Sequence, residues 1–127
     1  MKKVLIVDDV KGWREHHYLI LKELLGEETC FEFASSAREA YDIVYNHINE
    51  PFDLIVSDLQ MEEDFSPKYA GEWFVEQVKI LSQYAKTRIV IVSASYNIQL
   101  IAEGLGVNCL PKSVAAKFPQ SYLDVVM

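Results

Sequence analysis

Three runs of consecutive aliphatic residues constrain this chain more than any other feature: Val4-Leu5-Ile6-Val7, Leu54-Ile55-Val56 and Ile89-Val90-Ile91-Val92. An unbroken apolar run bounded by polar residues fits a strand buried on both faces, as in a parallel sheet. Each run stops at a small polar or acidic residue. The first meets Asp8 and Asp9, the second Ser57 and Asp58, the third Ser93.

The intervening segments supply the layers that would cover such strands. Gly12 to Leu25 places Trp13, His17, Ile20, Leu21, Leu24 and Leu25 at helical spacing, and Gly26 is a stop signal. Phe31-Glu32-Phe33 alternates like a short strand. Ser36-Ala37-Arg38-Glu39 has capping-box spacing and opens a helix with Ala40, Ile43, Val44 and Ile48 on one side, ended by Pro51. Gly71 leads into an amphipathic helix carrying Trp73, Phe74, Val78 and Leu81. A shorter helix is expected over about Ile98 to Glu103, with Gly104 and Gly106 near its end. Val107 to Leu110 reads as a fifth strand, and a short last helix is expected from near Pro119.

Strand and helix therefore alternate five times over 127 residues, a length suited to one domain with a real core. The pattern predicts an α/β fold: a doubly wound five-stranded parallel sheet in the flavodoxin-like order 2-1-3-4-5, with helices on both faces. The 19 acidic and 12 basic residues give a formal charge of −7. That balance argues against direct nucleic-acid binding and is compatible with a metal cation. Cys30 and Cys109 form no CxxC pair and have apolar neighbours, so buried thiols are expected rather than a disulfide or zinc site. After Met1-Lys2-Lys3 only four apolar residues precede Asp8, too few for a signal peptide or membrane span, and the expectation is a cytoplasmic protein.

In a parallel sheet every carboxyl end lies on one edge, so Asp8, Asp9, Asp58, Ser93 and Lys112 should converge there. Crowded carboxylates have raised pKa values unless a cation neutralises them. A hard divalent ion, Mg²⁺, does this and also bridges phosphate oxygens. An aspartate can attack phosphorus, and phosphoryl transfer depends mainly on positioning and charge neutralisation. Lys112 would offer a point charge to one phosphoryl oxygen and Ser93 a hydroxyl to another. The small Ala94 would leave access to Asp58.

Val4 to Asp9, Leu54 to Asp58, Ile89 to Ala94 and Leu110-Pro111-Lys112, taken in order, make the whole chain resemble the receiver domain of two-component response regulators. The resemblance implies that Asp58 is the phosphoacceptor and that Asp9 and Asp58 bind Mg²⁺ directly. It implies that Asp8 acts directly or through water, and that the Gln60 backbone carbonyl completes the metal shell. A histidine kinase or phosphotransfer protein would supply the phosphoryl group. Gln60 and Ser95, two residues beyond Asp58 and Ser93, would tune the lifetime of the aspartyl phosphate. Homodimerisation is left open, as are the output target and whether the chain is a stand-alone receiver or a fragment.

The chain departs from the family pattern in several places. Cys109 stands where relatives carry an aromatic residue that reports phosphorylation, and Tyr96 is a candidate substitute. Glu62 stands where a proline is common, and the acidic stretch 62–70 reads as an insertion, either solvated or part of a partner surface. Ser113 replaces a common proline after the lysine, which makes a cis bond there less favourable by about 2 kcal/mol. Two other functions compete: a receiver-like interaction domain that never uses phosphate, and a phosphohydrolase of the haloacid dehalogenase type. The hydrolase needs a second acid two residues after its nucleophile, where this chain has Gln60. His16 and His17, adjacent on a helix, face different ways and are not expected to form a metal pair.

Overall fold

The computed structural model describes residues 2–61 and 69–126. Five strands, β1 (Lys3–Val7), β2 (Cys30–Ala34), β3 (Leu54–Ser57), β4 (Arg88–Ser93) and β5 (Asn108–Pro111), form one sheet. All pairings are parallel, as the alternation predicts, and the order is the expected flavodoxin-like β2-β1-β3-β4-β5. β3 lies at the centre. Its neighbours hold it in register, with Val7 opposite Ser57 on one side and Ser57 opposite Ile91 on the other.

The sheet splits the core in two, because successive strand residues point to opposite faces. Leu5, Val7, Ile55, Ile89 and Ile91 face one layer, and Val4, Ile6, Val56, Val90 and Val92 face the other. The first layer holds α2 (Ala37–Asn46), α3 (Ala70–Ile80) and α4 (Ile98–Leu105), which contribute Val44, Phe74, Val78 and Ala102. The second holds α1 (Lys11–Leu25), α5 (Lys112–Lys117) and α6 (Ser121–Val126), which contribute Leu21, Ala115, Tyr122 and Val126. This is why the central strands are aliphatic throughout. Each buries both faces.

Several expected boundaries shift. α2 stops at Asn46, short of Ile48, because its last turns tighten: Ile48 N–H bonds to Tyr45 O and Glu50 N–H to His47 O, three residues back. The start of α2 follows the sequence signal, with the Ser36 hydroxyl accepting from Glu39 N–H at 3.1 Å. The Glu39 carboxylate, however, accepts from Ser35 N–H rather than from Ser36. The short last helix expected near Pro119 is α6, and an unexpected short helix, α5, precedes it. α5 follows β5 directly, then Phe118 turns extended (φ −128°, ψ 87°) because the residue before Pro119 is excluded from helical geometry. α4 runs two residues past Glu103, to Leu105, and closes on Gly106, whose φ of 70° a side chain would disfavour.

The expectation of buried thiols is corrected. β2 is an edge strand with only Ala34 fully buried, and Cys30 at its start is exposed; Cys109, on the opposite edge strand, is half-buried. Apolar sequence neighbours do not bury a residue on an edge. The acidic segment 62–68 lies outside the described residues, and α3 begins at Ala70, inside the expected loop. Among the described residues no helix is long and apolar enough to cross a membrane.

Candidate functional site

The carboxyl ends of β1, β3 and β5 meet at a cluster of charge. One carboxylate oxygen each from Asp8, Asp9 and Asp58 lies within 4.8 Å of the others. Asp8 is fully buried, Asp58 is 4 % exposed and Asp9 is half-buried. Lys112, the first residue of α5, reaches into this cluster. Its Nζ donates to Asp58 Oδ2 at 3.0 Å and lies 3.1 Å from Asp8 Oδ2.

The remaining carboxylate oxygens are held by main chain. Asp58 Oδ1 accepts from Leu59 N–H at 2.7 Å, and Asp8 Oδ1 from Val10 N–H at 2.9 Å. Asp8 Oδ2 touches Lys112 without hydrogen-bond alignment, so a buried carboxylate oxygen has no hydrogen bond. Arg14 donates to the backbone carbonyl of Asp8 rather than to a carboxylate. Burial raises the pKa of Asp58, the neighbouring Asp8 adds to the rise, and Lys112 opposes it. Burial likewise raises Asp8. For Lys112 burial pulls the pKa down, but Asp58 and Asp8 outweigh it and the net shift is upward.

Three carboxylates and one ammonium leave two excess negative charges when all are ionised. An incompletely bonded, buried oxygen among hard oxygen donors fits a divalent cation of the Mg²⁺ type. Gln60 follows at an exposed position after the buried Leu59.

Ser93 ends β4 and is buried, but its hydroxyl pairs with Ser95, donating to Ser95 Oγ at 3.3 Å and accepting from Ser95 N–H at 3.2 Å. Ala94 is exposed. A cavity of about 450 Å³ opens beside Lys112, lined by Ser93, Ala94, Ser95 and Tyr96 among others. Tyr96 is 95 % exposed and packs into no core, so its position beside Ser93 is all that links it to the site.

Sequence reasoning missed three contributors. The Trp13 ring lies 5.0 Å from Lys112 Nζ, a cation–π contact that positions the lysine from α1. Behind it His17 Nδ1 and the Tyr122 hydroxyl are 2.7 Å apart, both side chains buried. Gly71 packs directly on the main chain of Asp58. Helical spacing assigns Trp13 and His17 to a face but does not say what that face meets. His16 and His17 do diverge: His16 Nε2 pairs with Ala115 O while His17 turns inward.

The His17–Tyr122 pair predicts an acid-sensitive fold. Burial, with smaller contributions from His16 and Lys112, lowers His17 to about 3. Burial raises the Tyr122 phenol, with Asp8 adding to the rise, so a neutral imidazole faces a neutral phenol. The unfolded chain takes up a proton near pH 6.5 that the native chain refuses, so stability falls as pH drops below that value. Between pH 7 and pH 5 the loss from His17 alone is about 2 kcal/mol. Asp8 and Asp58, raised in the native state, act in the opposite direction, which makes the variant comparison necessary. Denaturant unfolding of His17→Gln at both pH values should show a smaller acid loss than the parent; an equal loss refutes the assignment.

No protein-family model matches the chain, and no curated protein sequence does. Solved structures do. The chemotaxis response regulator CheY4 of Vibrio cholerae is 28% identical with a TM-score of 0.74, over 98% of this chain and 94% of that one. The receiver domain of the histidine kinase CKI1 from Arabidopsis thaliana superposes with a TM-score of 0.77 at 23% identity, over 98% of this chain and 87% of that one. A CheY-like receiver domain protein from Methanospirillum hungatei gives 0.71 at 21%, over 98% and 89%. The last two likenesses speak to the fold alone. The sheet order, the acidic cluster with its lysine, and the likeness to CheY4 together support a receiver domain similar to the CheY-like response regulators.

Proposed function

We propose that this receiver module accepts a phosphoryl group on Asp58 from the phosphohistidine of a histidine kinase or phosphotransfer protein, and signals in the cytoplasm by a conformational change. The observation that carries this reading is the Asp58 carboxylate at the end of the central strand, bonded to Lys112 and crowded by Asp8 and Asp9. Asp8, Asp9 and Asp58, with the Gln60 carbonyl, would hold Mg²⁺, which would supply positive charge against the crowded carboxylates and the incoming phosphoryl group. In the transfer an Asp58 oxygen bonds to phosphorus as the phosphorus–nitrogen bond to the donor histidine breaks. The imidazole leaves with the electron pair and takes a proton from solvent. Lys112 passes from the carboxylate to a phosphoryl oxygen.

For Ser93 to meet the phosphoryl group, its hydroxyl must leave Ser95, so Ser95 belongs to the switch as well as to the control of lifetime. Gln60 and Ala94 flank the approach of water to Asp58. The half-buried Cys109 offers no aromatic readout, and the exposed Tyr96 is the residue free to move. That same feature favours the second reading, a receiver-like interaction domain that works without phosphate. Receiver domains are signalling modules rather than classical enzymes, and Gln60 gives a phosphohydrolase no second acid.

Incubation with acetyl phosphate and Mg²⁺, followed by intact mass, tests the proposal. One added phosphoryl group is expected, absent in Asp58→Asn and absent without Mg²⁺. Failure of acetyl phosphate and of a phosphorylated phosphotransfer domain to label the protein favours the phosphate-independent reading.

A further inference from the structure

The sheet edge away from Asp58 carries a concavity of opposite character. It lies between the end of α3, the turn before β4 and the α4–β5 turn, with a volume of about 360 Å³. Lys79, Lys86 and Arg88 line it, with Thr87 and Asn108 between them, and no acidic residue among the described ones does. A smaller chamber of about 220 Å³ adjoins it through Lys79, Ala85 and Thr87. Arg88 opens β4 and Ser93 closes it, so the two ends of the sheet are about 17 Å apart at the rise of a parallel strand.

In a chain with net charge −7, three cations around one hollow without a carboxylate invert the local charge. Elsewhere Lys11, Lys22, Arg38 and Lys112 each meet a carboxylate, whereas Lys86 and Arg88 have no ion pair among the described residues. Lys79 donates to Gly106 O at 3.3 Å, which ties α3 to the α4–β5 turn and steadies one wall. No aromatic ring among the described residues lines the main hollow. Tyr84, in the side chamber, is buried with its hydroxyl donating to Val44 O. The walls recognise charge, with no stacking platform for a base or ring.

We propose that this basic hollow is a second ligand site, for a small molecule carrying a diphosphate or polyphosphate group. Its size falls in the range of small-ligand pockets, and Arg88 with two lysines matches a phosphate's several acceptor oxygens. An acidic protein segment would satisfy the charge too, but the hollow's small volume and its adjoining chamber favour a compact anion.

Titration of the full chain with inorganic pyrophosphate, followed by amide NMR shifts, tests this. EDTA keeps divalent ions from the acidic cluster, which then repels anions. Saturable shifts are expected at residues 79, 86–89 and 106–108, with the Asp58 edge unmoved. Lys86→Ala combined with Arg88→Ala should weaken binding at least about tenfold. Both positions are exposed, so folding and acetyl phosphate labelling of Asp58 should be unchanged. The proposal fails if shifts do not saturate by about 10 mM, an affinity too weak to be a site. It also fails if chloride at matched ionic strength gives the same shifts, if the double variant binds equally, or if an acidic peptide binds where pyrophosphate does not.

Discussion

Gly71→Ala is expected to destabilise the fold by at least about 3 kcal/mol, with a melting temperature lower by roughly 10 °C, and to displace Asp58. A Cβ at this position would lie 1.9 Å from the Asp58 carbonyl oxygen and 2.7 Å from Leu59 Cα. Both are backbone atoms, so no side-chain rotation can relieve the overlap. Gly71 does not have positive φ; the residue is there for space. Its N–H donates to Leu59 O at 2.9 Å, binding the first turn of α3 to the chain just after Asp58. Accommodating a methyl group must push either α3 or the Asp58–Leu59 peptide, and the second carries the carboxylate away from Lys112. The matched control is Gly12→Ala on α1, which meets nothing within 4 Å and should gain up to about 1 kcal/mol from helix propensity. Thermal unfolding of both variants, with acetyl phosphate labelling, decides the matter. A Gly71→Ala protein that melts and labels like the parent would show that the close approach is not real.

The sheet was legible because its information is local. Leu54 to Val56 must be buried on both faces, and alternation with amphipathic segments then gives a parallel sheet with one functional edge, whose strand order follows the flavodoxin-like pattern. That edge brings Asp8, Asp9, Asp58 and Lys112 together. Ser93 arrives at the same edge but bonded to Ser95, because a hydroxyl takes whichever partner its own turn offers. What was not legible depends on which surfaces meet. Trp13 looked like core, yet α1 sets its ring against Lys112. His17 and Tyr122 are 105 residues apart, and nothing local to either announces the other. Cys30 follows the opposite rule: its neighbours looked apolar, but an edge strand has no second face to bury it. Residues lacking a periodic partner in sequence are the ones for which tertiary packing decides.

Lys112→Ala is expected to destabilise the metal-free protein by about 3–5 kcal/mol, the cost of leaving buried charges without a partner, and to make Mg²⁺ far more stabilising than in the parent. Lys112 Nζ stands at 3.0 and 3.1 Å from Asp58 Oδ2 and Asp8 Oδ2. It already occupies the charge vacancy that a divalent cation would fill. Removing it leaves two buried carboxylates facing each other, and their pKa values, raised by burial even with the lysine present, rise further. A carboxyl group raised in the native state binds a proton that the unfolded chain binds only near pH 4. The native state is therefore favoured as pH falls through the raised value, and the penalty of the substitution is largest at neutral pH and shrinks toward acid. Burial, the largest cause, keeps His17 neutral in both native proteins, so most of its acid loss cancels in the difference between them, although removing Lys112 relieves part of the depression. Mg²⁺ binding no longer has to displace an ammonium, and stabilisation grows with the logarithm of ligand concentration over Kd, so tighter binding appears directly as a larger rise in melting temperature. Unfolding of parent and variant in EDTA and in Mg²⁺, at pH 7.5 and pH 5.5, tests both halves. A Mg²⁺ response in Lys112→Ala no larger than the parent's would mean that lysine and metal do not compete for Asp8 and Asp58.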